Sequence, residues 1–145
     1  MNVLTKTITS IDGKKFVVYL DKSYSAVDIY IRSERTTKRP VFWSDMNRQE
    51  RIVEIHDMKL MEVDLDGNFI TRGAGNLSGR GIGKQIVRIF EEYVRTLGIR
   101  KIIGKISKED ADRGVDIFWK KQGYEINEYR GGDESIRFVM EKSLD

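Results

Sequence analysis

Polar and apolar residues alternate along the first half of the chain. Residues 3–9, 14–20 and 26–32 are rich in branched and aromatic side chains, and the alternation is clearest in AVDIYIR. A period of two predicts strands with one buried face. The turn signals IDG and DKSYS separate these stretches, so we expect a β meander.

The next stretch also predicts strands rather than helices. After Pro40 comes the apolar VFW, then the polar SDMNRQE, and then RIVEIHDMKLMEVDL at residues 51–65. That last segment predicts one long strand or two collinear strands. We predict no helix before residue 80.

The period changes after a glycine-rich loop at residues 66–79. Apolar residues then recur at helical spacing, which predicts an amphipathic helix that ends near Gly98. The residues on its apolar face are Ile82, Ile86, Ile89, Phe90, Tyr93 and Leu97.

The last third of the chain predicts a strand, a helix and a hairpin. IRKIIGKI at residues 99–106 is apolar enough for a buried strand. SKED at residues 107–110 is a capping box, in which Ser107 caps backbone amides and Asp110 reaches back. The helix that it opens carries Ala111, Val115 and Phe118 on one face and stops at Gly123, and YEINEY and SIRFVMEK close the fold as two strands.

This order of elements predicts an α+β fold with one mixed, mostly antiparallel sheet. The N-terminal half is β-rich and poor in helices. The 145 residues contain no repeat and no linker, so we expect residues 1–145 to form a single domain.

Composition excludes several classes of protein. The chain is 39% hydrophobic and 34% charged, and no apolar run approaches the roughly 20 residues of a membrane span. The first residues resemble neither a signal peptide nor a transit peptide, so we expect a cytoplasmic protein without membrane contact. There is no cysteine and only one histidine, His56, which excludes thiol chemistry and multi-histidine metal sites.

Positive charge is concentrated in one region. The net charge is +3, and residues 72–105 hold eight cations against two acids. Such an excess attracts polyanions, either nucleic acid or a phosphate-bearing cofactor, although a solvated helix face would show the same pattern. No nucleic-acid motif is present and the overall charge is modest, so the sequence does not favour nucleic acid.

The loop SGRGIGK at residues 78–84 opens the first predicted helix. Glycines before a helix expose free backbone N–H groups, which favour an anion such as phosphate. A tight turn that only packs the helix is the simpler alternative. The segment is not a P-loop, because Gln85 follows Gly83-Lys84, and it lacks the G-x-G-x-x-G spacing of a dinucleotide site.

Two motifs resemble those of the GNAT-type N-acetyltransferases. SGRGIG is similar to the family's [QR]-x-x-G-x-[GA] cofactor motif, and FWKKQGYE at residues 118–125 is similar to its downstream F-Y-x-K-x-G-F-E. The resemblance covers residues 78–141 well and residues 50–65 less closely. It implies the GNAT (acyl-CoA N-acyltransferase) fold and acetyl-CoA as co-substrate.

The resemblance also implies a set of cofactor-binding residues. Backbone amides of the loop would hold the pyrophosphate, and the basic side chains would assist. The strand HDMKL would offer backbone hydrogen bonds to the pantetheine. In a shifted register, Glu62 and Val63 would offer these hydrogen bonds instead. The positions are Met58, Leu60, Ser78, Gly79, Arg80, Gly81, Ile82, Gly83 and Lys84.

The chain departs from the family at several points. Ser78 stands where Gln or Arg is usual, and Trp119 stands where many members have a tyrosine that protonates the leaving thiolate. Indole cannot act as an acid. The loop before the motif is longer than usual, and the N-terminal helices that wall the acceptor site are missing. That open site is one reason to expect a homodimer.

Direct transfer to an amine needs a base. The candidates on the predicted central strand are Glu54, His56, Asp57, Glu62 and Asp64. Parity places Glu54, His56 and Glu62 on one face and Asp57 on the other. We predict Glu62 and His56 as catalytic residues, with water relaying the proton.

The sequence therefore predicts an acetyl-CoA-dependent N-acetyltransferase acting on a primary amine of a small molecule or peptide. The alternative is a GNAT-like module that binds acetyl-CoA without catalysis and serves regulation or assembly. Trp119 favours that alternative.

Overall fold

One mixed sheet organises the chain. A computed structural model describes residues 2–32, 39–60, 66, 68 and 79–145, and eight strands within these residues form a sheet in the order β1-β2-β3-β4-β5-β6-β8-β7. The elements are β1 (Asn2–Thr9), β2 (Lys15–Lys22), β3 (Ala26–Arg32), β4 (Phe42–Asn47), β5 (Ile52–Met58), α1 (Ile82–Thr96), β6 (Lys101–Ser107), α2 (Lys108–Asp112), α3 (Val115–Lys121), β7 (Glu125–Glu128) and β8 (Ile136–Ser143).

The strands pair antiparallel except at one place. β1 to β5 form a meander in which each strand pairs with the next. β5 and β6 pair in parallel, with α1 in the connection between them. β8 pairs antiparallel with both β6 and β7. The prediction of an α+β fold with a mixed, mostly antiparallel sheet is confirmed.

The apolar residues of the meander form a core with α1. Val27 and Ile29 of β3 and Phe42 of β4 are fully buried, and the Phe42 ring packs 4.5 Å from that of Phe90 on α1. Alternate residues point to the opposite side of the sheet, here called the polar face, where Asp28 and Trp43 are half-buried. No helix of the described residues is long and apolar enough to span a bilayer.

The predicted strands are present, with two differences in extent. β4 extends beyond the apolar VFW into the polar SDMN, where Ser44 and Met46 are buried and Asp45 is exposed. The long strand predicted at 51–65 is β5, which ends at Met58; residues 61–65 lie outside the described residues.

The first helix follows its prediction except at one end. α1 buries Ile82, Ile86, Ile89 and Phe90, and Gly98 after it has φ +80°, as a helix stop requires. Leu97 was predicted on the apolar face but lies just past the helix and is 36% exposed, because the chain has already turned there.

The predicted second helix is two short helices. Ser107 accepts a hydrogen bond from the Asp110 amide and caps α2, as predicted. The Asp110 carboxylate pairs with Arg113 rather than reaching back. Gly114, with φ +81°, separates α2 from α3, because a left-handed residue cannot continue an α-helix.

β5 and β6 separate part-way along their length. Their pairing runs from Ile52–Lys101 to Ile55–Gly104 and ends there, although β5 continues to Met58 and β6 to Ser107. We call the opening beyond Ile55 and Gly104 the fork. A Cβ on Gly104 would lie 2.6 Å from the Met140 terminal methyl and 3.3 Å from the Ile55 carbonyl oxygen, so glycine allows Met140 to pack closely where the fork begins.

A β-bulge in β5 marks the same place. Ser44 opposes Ile55 and Trp43 opposes Asp57, so His56 is an extra residue that no β4 residue opposes in the backbone register. An extra residue of this kind in one strand increases the local twist and bends the strand. It also resets the alternation: Asp57 shares a face with Glu54, since their partners Trp43 and Asp45 are two residues apart. The prediction that Asp57 lies opposite Glu54 is therefore wrong.

Replacing Gly104 tests the close packing at the fork. The substitution Gly104→Ala is expected to lower the free energy of unfolding by about 1–3 kcal/mol, because Met140 must move to admit the methyl group. Urea denaturation measures this, with Gly132→Ala as the control, since a Cβ there meets nothing within 4 Å. Equal stability of the two variants would contradict the packing argument.

Candidate active site

A cavity of about 510 Å³ occupies the fork. Its walls come from the ends of β5 and β6, from Gly79 before α1 and from α2 and α3. Met58, Leu60 and Phe118 supply apolar surface. The titratable side chains of the lining are His56, Asp57, Lys59, Lys105, Asp110 and Arg113. An apolar slot with a few converging polar groups is the usual character of a ligand site.

The glycine loop turns the chain sharply into α1. Gly79 and Gly81 both have φ +74°, a conformation that residues with a side chain rarely adopt. Gly81 is the N-cap, and neither a side-chain cap nor an acidic residue serves the first turn. The first amides of α1 therefore keep the donor capacity and positive dipole end that suit an anion.

Two of the glycines also allow close packing. A Cβ on Gly81 would lie 2.9 Å from Ile11, and one on Gly83 would lie 3.2 Å from Leu60 and 3.3 Å from Phe118. The simpler explanation, a tight turn that packs the helix, therefore also holds. The two roles are compatible, because the amides and the missing side chains are different parts of the same residues.

The basic side chains of the loop have different surroundings. Arg80 donates to Asp12, with Nη2 2.9 Å from Oδ2, and its side chain is only 19% exposed. Lys84, one turn into α1, is exposed. Lys84 is therefore open to solvent, whereas Arg80 is held by Asp12.

The end of β5 presents two groups at the fork. His56 Nε2 lies 2.6 Å from Asp45 Oδ2 on β4, a pairing that fixes the imidazole ring. Asp57 accepts a hydrogen bond from the Met58 amide at 2.8 Å. Partial burial raises the pKa of Asp57, nearby Asp110 raises it further, and the Met58 amide, Lys59 and Arg113 oppose the shift.

The aromatic residues near α3 are structural. Trp119 is buried and packs edge-on against Phe118 and Tyr124. The Tyr124 hydroxyl donates to Glu91 Oε2 at 2.7 Å, and burial, with the charge of Glu91, raises the pKa of Tyr124 far above its ordinary range. Neither side chain can protonate a leaving group at neutral pH.

Solved structures share this arrangement of sheet and helices. The chain aligns with a candidate acyl-CoA N-acyltransferase from Klebsiella pneumoniae at a TM-score of 0.56 and 13% identity, over 83% of this chain and 74% of the other. The chain has the GNAT fold. The identity is too low to show more than the fold.

Two further structures with the GNAT fold contain coenzyme A. One is the PaiA N-acetyltransferase of Thermoplasma acidophilum in complex with coenzyme A, with a TM-score of 0.53, 14% identity and coverage of 82% and 61% of the two chains. The other is spermidine N-acetyltransferase from Vibrio cholerae with CoA and spermine, with a TM-score of 0.54, 12% identity and coverage of 83% and 67%. No family model matches the sequence, and no curated protein does.

The structure places four of the eleven predicted site residues in the lining of the cavity. Met58, Leu60, Gly79 and His56 line the cavity, and the start of α1 adjoins it. Glu62 and Ser78 lie outside the described residues. Sequence reasoning missed Asp45 and Asp12, because their partners His56 and Arg80 lie 11 and 68 residues away; no local pattern signals such contacts.

A second cavity, of about 650 Å³, lies at the opposite end of the β5–β6 pair. It is lined by charges of both signs, including Arg51, Lys101 and Glu141, and Lys101 pairs with Glu141 at 2.8 Å. Since its charges neutralise one another and no glycine loop adjoins it, we assign the site to the fork. The described residues hold no cluster of three or more metal-ligating side chains.

The raised pKa of Asp57 has a consequence for stability. A carboxylate whose pKa rises on folding destabilises the fold while it is ionised, and the penalty disappears as the pH falls through its folded pKa. Asp57→Asn is therefore expected to raise the melting temperature by roughly 1–3 °C at neutral pH, and the difference should vanish at acidic pH. Thermal unfolding across pH measures this; a variant less stable than the wild type at neutral pH would contradict it.

Proposed function

We propose that the protein is an acetyl-CoA-dependent N-acetyltransferase that transfers an acetyl group to a primary amine by direct attack. The observation that carries this proposal is the fork, which opens beside an uncapped helix start on a GNAT fold. A thioester arm can occupy the apolar slot while its pyrophosphate binds the loop.

The cofactor would be held mainly by backbone groups. The amides from Gly79 to Lys84, including Ile82 and Gly83, bind the pyrophosphate, with Ser78 preceding them. Lys84 adds a charge, and Arg80 adds the donors that Asp12 does not use, since a guanidinium has five. Leu60 and Met58 face the pantetheine arm.

His56 is proposed as the base. Its ring is oriented by Asp45, and it lines the cavity where the amine would approach the thioester. Asp57 beside it attracts the ammonium form of the acceptor before the proton is lost. Glu62 remains a second proposed base, reached through water.

The leaving thiolate departs without a tyrosine acid. Trp119 occupies that position, and the Tyr124 hydroxyl donates its hydrogen bond to Glu91. General acid catalysis contributes roughly 10²–10⁴-fold where it operates. We therefore expect slow turnover, with the thiolate taking its proton from water.

The acceptor is proposed to enter from the polar face. Asp45 lies directly opposite Glu54, and Asp28 opposite Asp21, although like charges across a strand pair cost stability. A face of this kind attracts cations, which suits a primary amine that is protonated in solution.

A second candidate function is cofactor binding without catalysis, in a regulatory or assembly role. The buried Trp119 favours it, because an enzyme would gain from an acid at that position. Turnover decides between the two candidates: release of free thiol with an amine panel supports the enzyme, and binding without release supports the module.

Cofactor binding is the first measurement. Titration calorimetry with acetyl-CoA should show binding to the wild type, and Lys84→Ala should weaken it about three- to tenfold through loss of one exposed charge. Arg100→Ala, an exposed cation at the far end of the sheet, should bind as the wild type does. A folded wild type that binds no acetyl-CoA would overturn both candidate functions.

Substitutions of His56 and Asp57 should change different kinetic parameters. His56→Gln is expected to lower kcat about 100-fold with little change in the KM of the amine, because a base acts in the transition state. Asp57→Asn is expected to raise the KM of the amine. Steady-state thiol release measures both, and an unchanged kcat in His56→Gln would exclude it as the base.

A further inference from the structure

The β1–β2 turn is attached to the glycine loop. The Ile11 amide donates to the Arg80 carbonyl oxygen at 2.9 Å, and the Gln85 side-chain amide donates to the Thr9 carbonyl oxygen at 2.7 Å. Ile11 also fills the space over Gly81, where a Cβ would lie 2.9 Å from its Cγ2. The N-terminal hairpin therefore packs against the glycine loop.

Asp12 at the tip of this turn engages the Arg80 guanidinium. Nη2 lies 2.9 Å from Oδ2 and Nε lies 3.4 Å from Oδ1, and the guanidinium stands 5.3 Å from the centroid of the Phe16 ring. The hydrogen bond from Ser10 and then the contact with Arg80 lower the pKa of Asp12. The carboxylate is thus ionised at neutral pH, and the pair is charge-assisted.

This arrangement fixes a long side chain in one orientation. A free arginine loses substantial rotamer entropy when it binds a phosphate. An arginine already held by a carboxylate on one edge and a ring on one face has lost that entropy beforehand, which is preorganisation. The backbone carbonyl of Arg80 is fixed by the same turn, through Ile11.

We infer that Asp12 is a positioning residue of the cofactor site. Its carboxylate holds Arg80, and with it the backbone of the glycine loop, in the geometry that receives the pyrophosphate. The inference rests on the proposed function, since it needs a cofactor with a pyrophosphate. Asp12 does not line the cavity and acts through Arg80.

A pair of ligands tests this inference. Asp12→Asn keeps the shape of the turn and removes the charge. It should raise the Kd and KM of acetyl-CoA about three- to tenfold with kcat unchanged. The acetyl thioester of pantetheine, which lacks the pyrophosphate, should react with the variant as it does with the wild type.

Asp133→Asn is the matched control. Asp133 also lies in an exposed turn and accepts a hydrogen bond from a serine side chain, Ser135, at 2.6 Å, but this turn joins β7 to β8 and is not the loop before α1. Asp133→Asn should leave the Kd and KM of acetyl-CoA and the reaction with the pantetheine thioester unchanged. In an Arg80→Gln background, Asp12→Asn should have no further effect on acetyl-CoA, because the charge acts through Arg80.

Four outcomes would overturn the inference. Tighter acetyl-CoA binding by Asp12→Asn would make Asp12 a competitor of the phosphate, and equal loss with both thioesters would indicate a general structural effect. Unchanged acetyl-CoA affinity in Asp12→Asn would remove the role of Asp12 while leaving the proposed function intact. No binding by the folded wild type would overturn the proposed function and the inference together.

A second variant keeps the test decisive if Asp12→Asn does not fold. Arg80→Lys keeps the positive charge but cannot form the forked contact with a carboxylate. It should lower acetyl-CoA affinity about three- to tenfold and spare the pantetheine thioester. Wild-type affinity in Arg80→Lys would contradict the inference.

Discussion

The end of the β5–β6 ladder at Ile55 and Gly104 is the constraint on which the site depends. Up to that pair the two strands share hydrogen bonds; beyond it each keeps its outer partner, β4 or β8, and the two separate. The glycine admits the Met140 side chain where a methyl group would stand. A slot opened in this way is lined by strand ends, which are held by the rest of the sheet, so its width is set by backbone pairing.

Charge is divided between the two approaches to the fork. The loop before α1 carries Arg80 and Lys84, whereas Asp28, Asp45 and Glu54 lie across the meander. The two surfaces therefore differ in the sign of the charge that they present. The ion pair between Arg80 and Asp12 joins the two halves of the chain, since the N-terminal hairpin reaches the loop that precedes α1.

The fold was predictable from the sequence because its signals are local. The alternation in AVDIYIR, the helical spacing from Ile82 and the stop at Gly98 each specify an element without distant information. The break at Gly114 was missed because an isolated glycine in a helical pattern usually costs stability without ending the helix. Asp12 and Asp45 act through partners distant in sequence, so only the folded chain identifies them.

The effect of the bulge at His56 depends on the number of residues in β5, not on which residues they are. In a regular strand, side chains two apart share a face, and a shift of one residue exchanges the faces. The extra residue makes that exchange within β5, and it places Asp57 on the face of Glu54. An insertion or deletion of one residue would therefore redirect the carboxylates of this strand, a change that no substitution at those positions could reproduce.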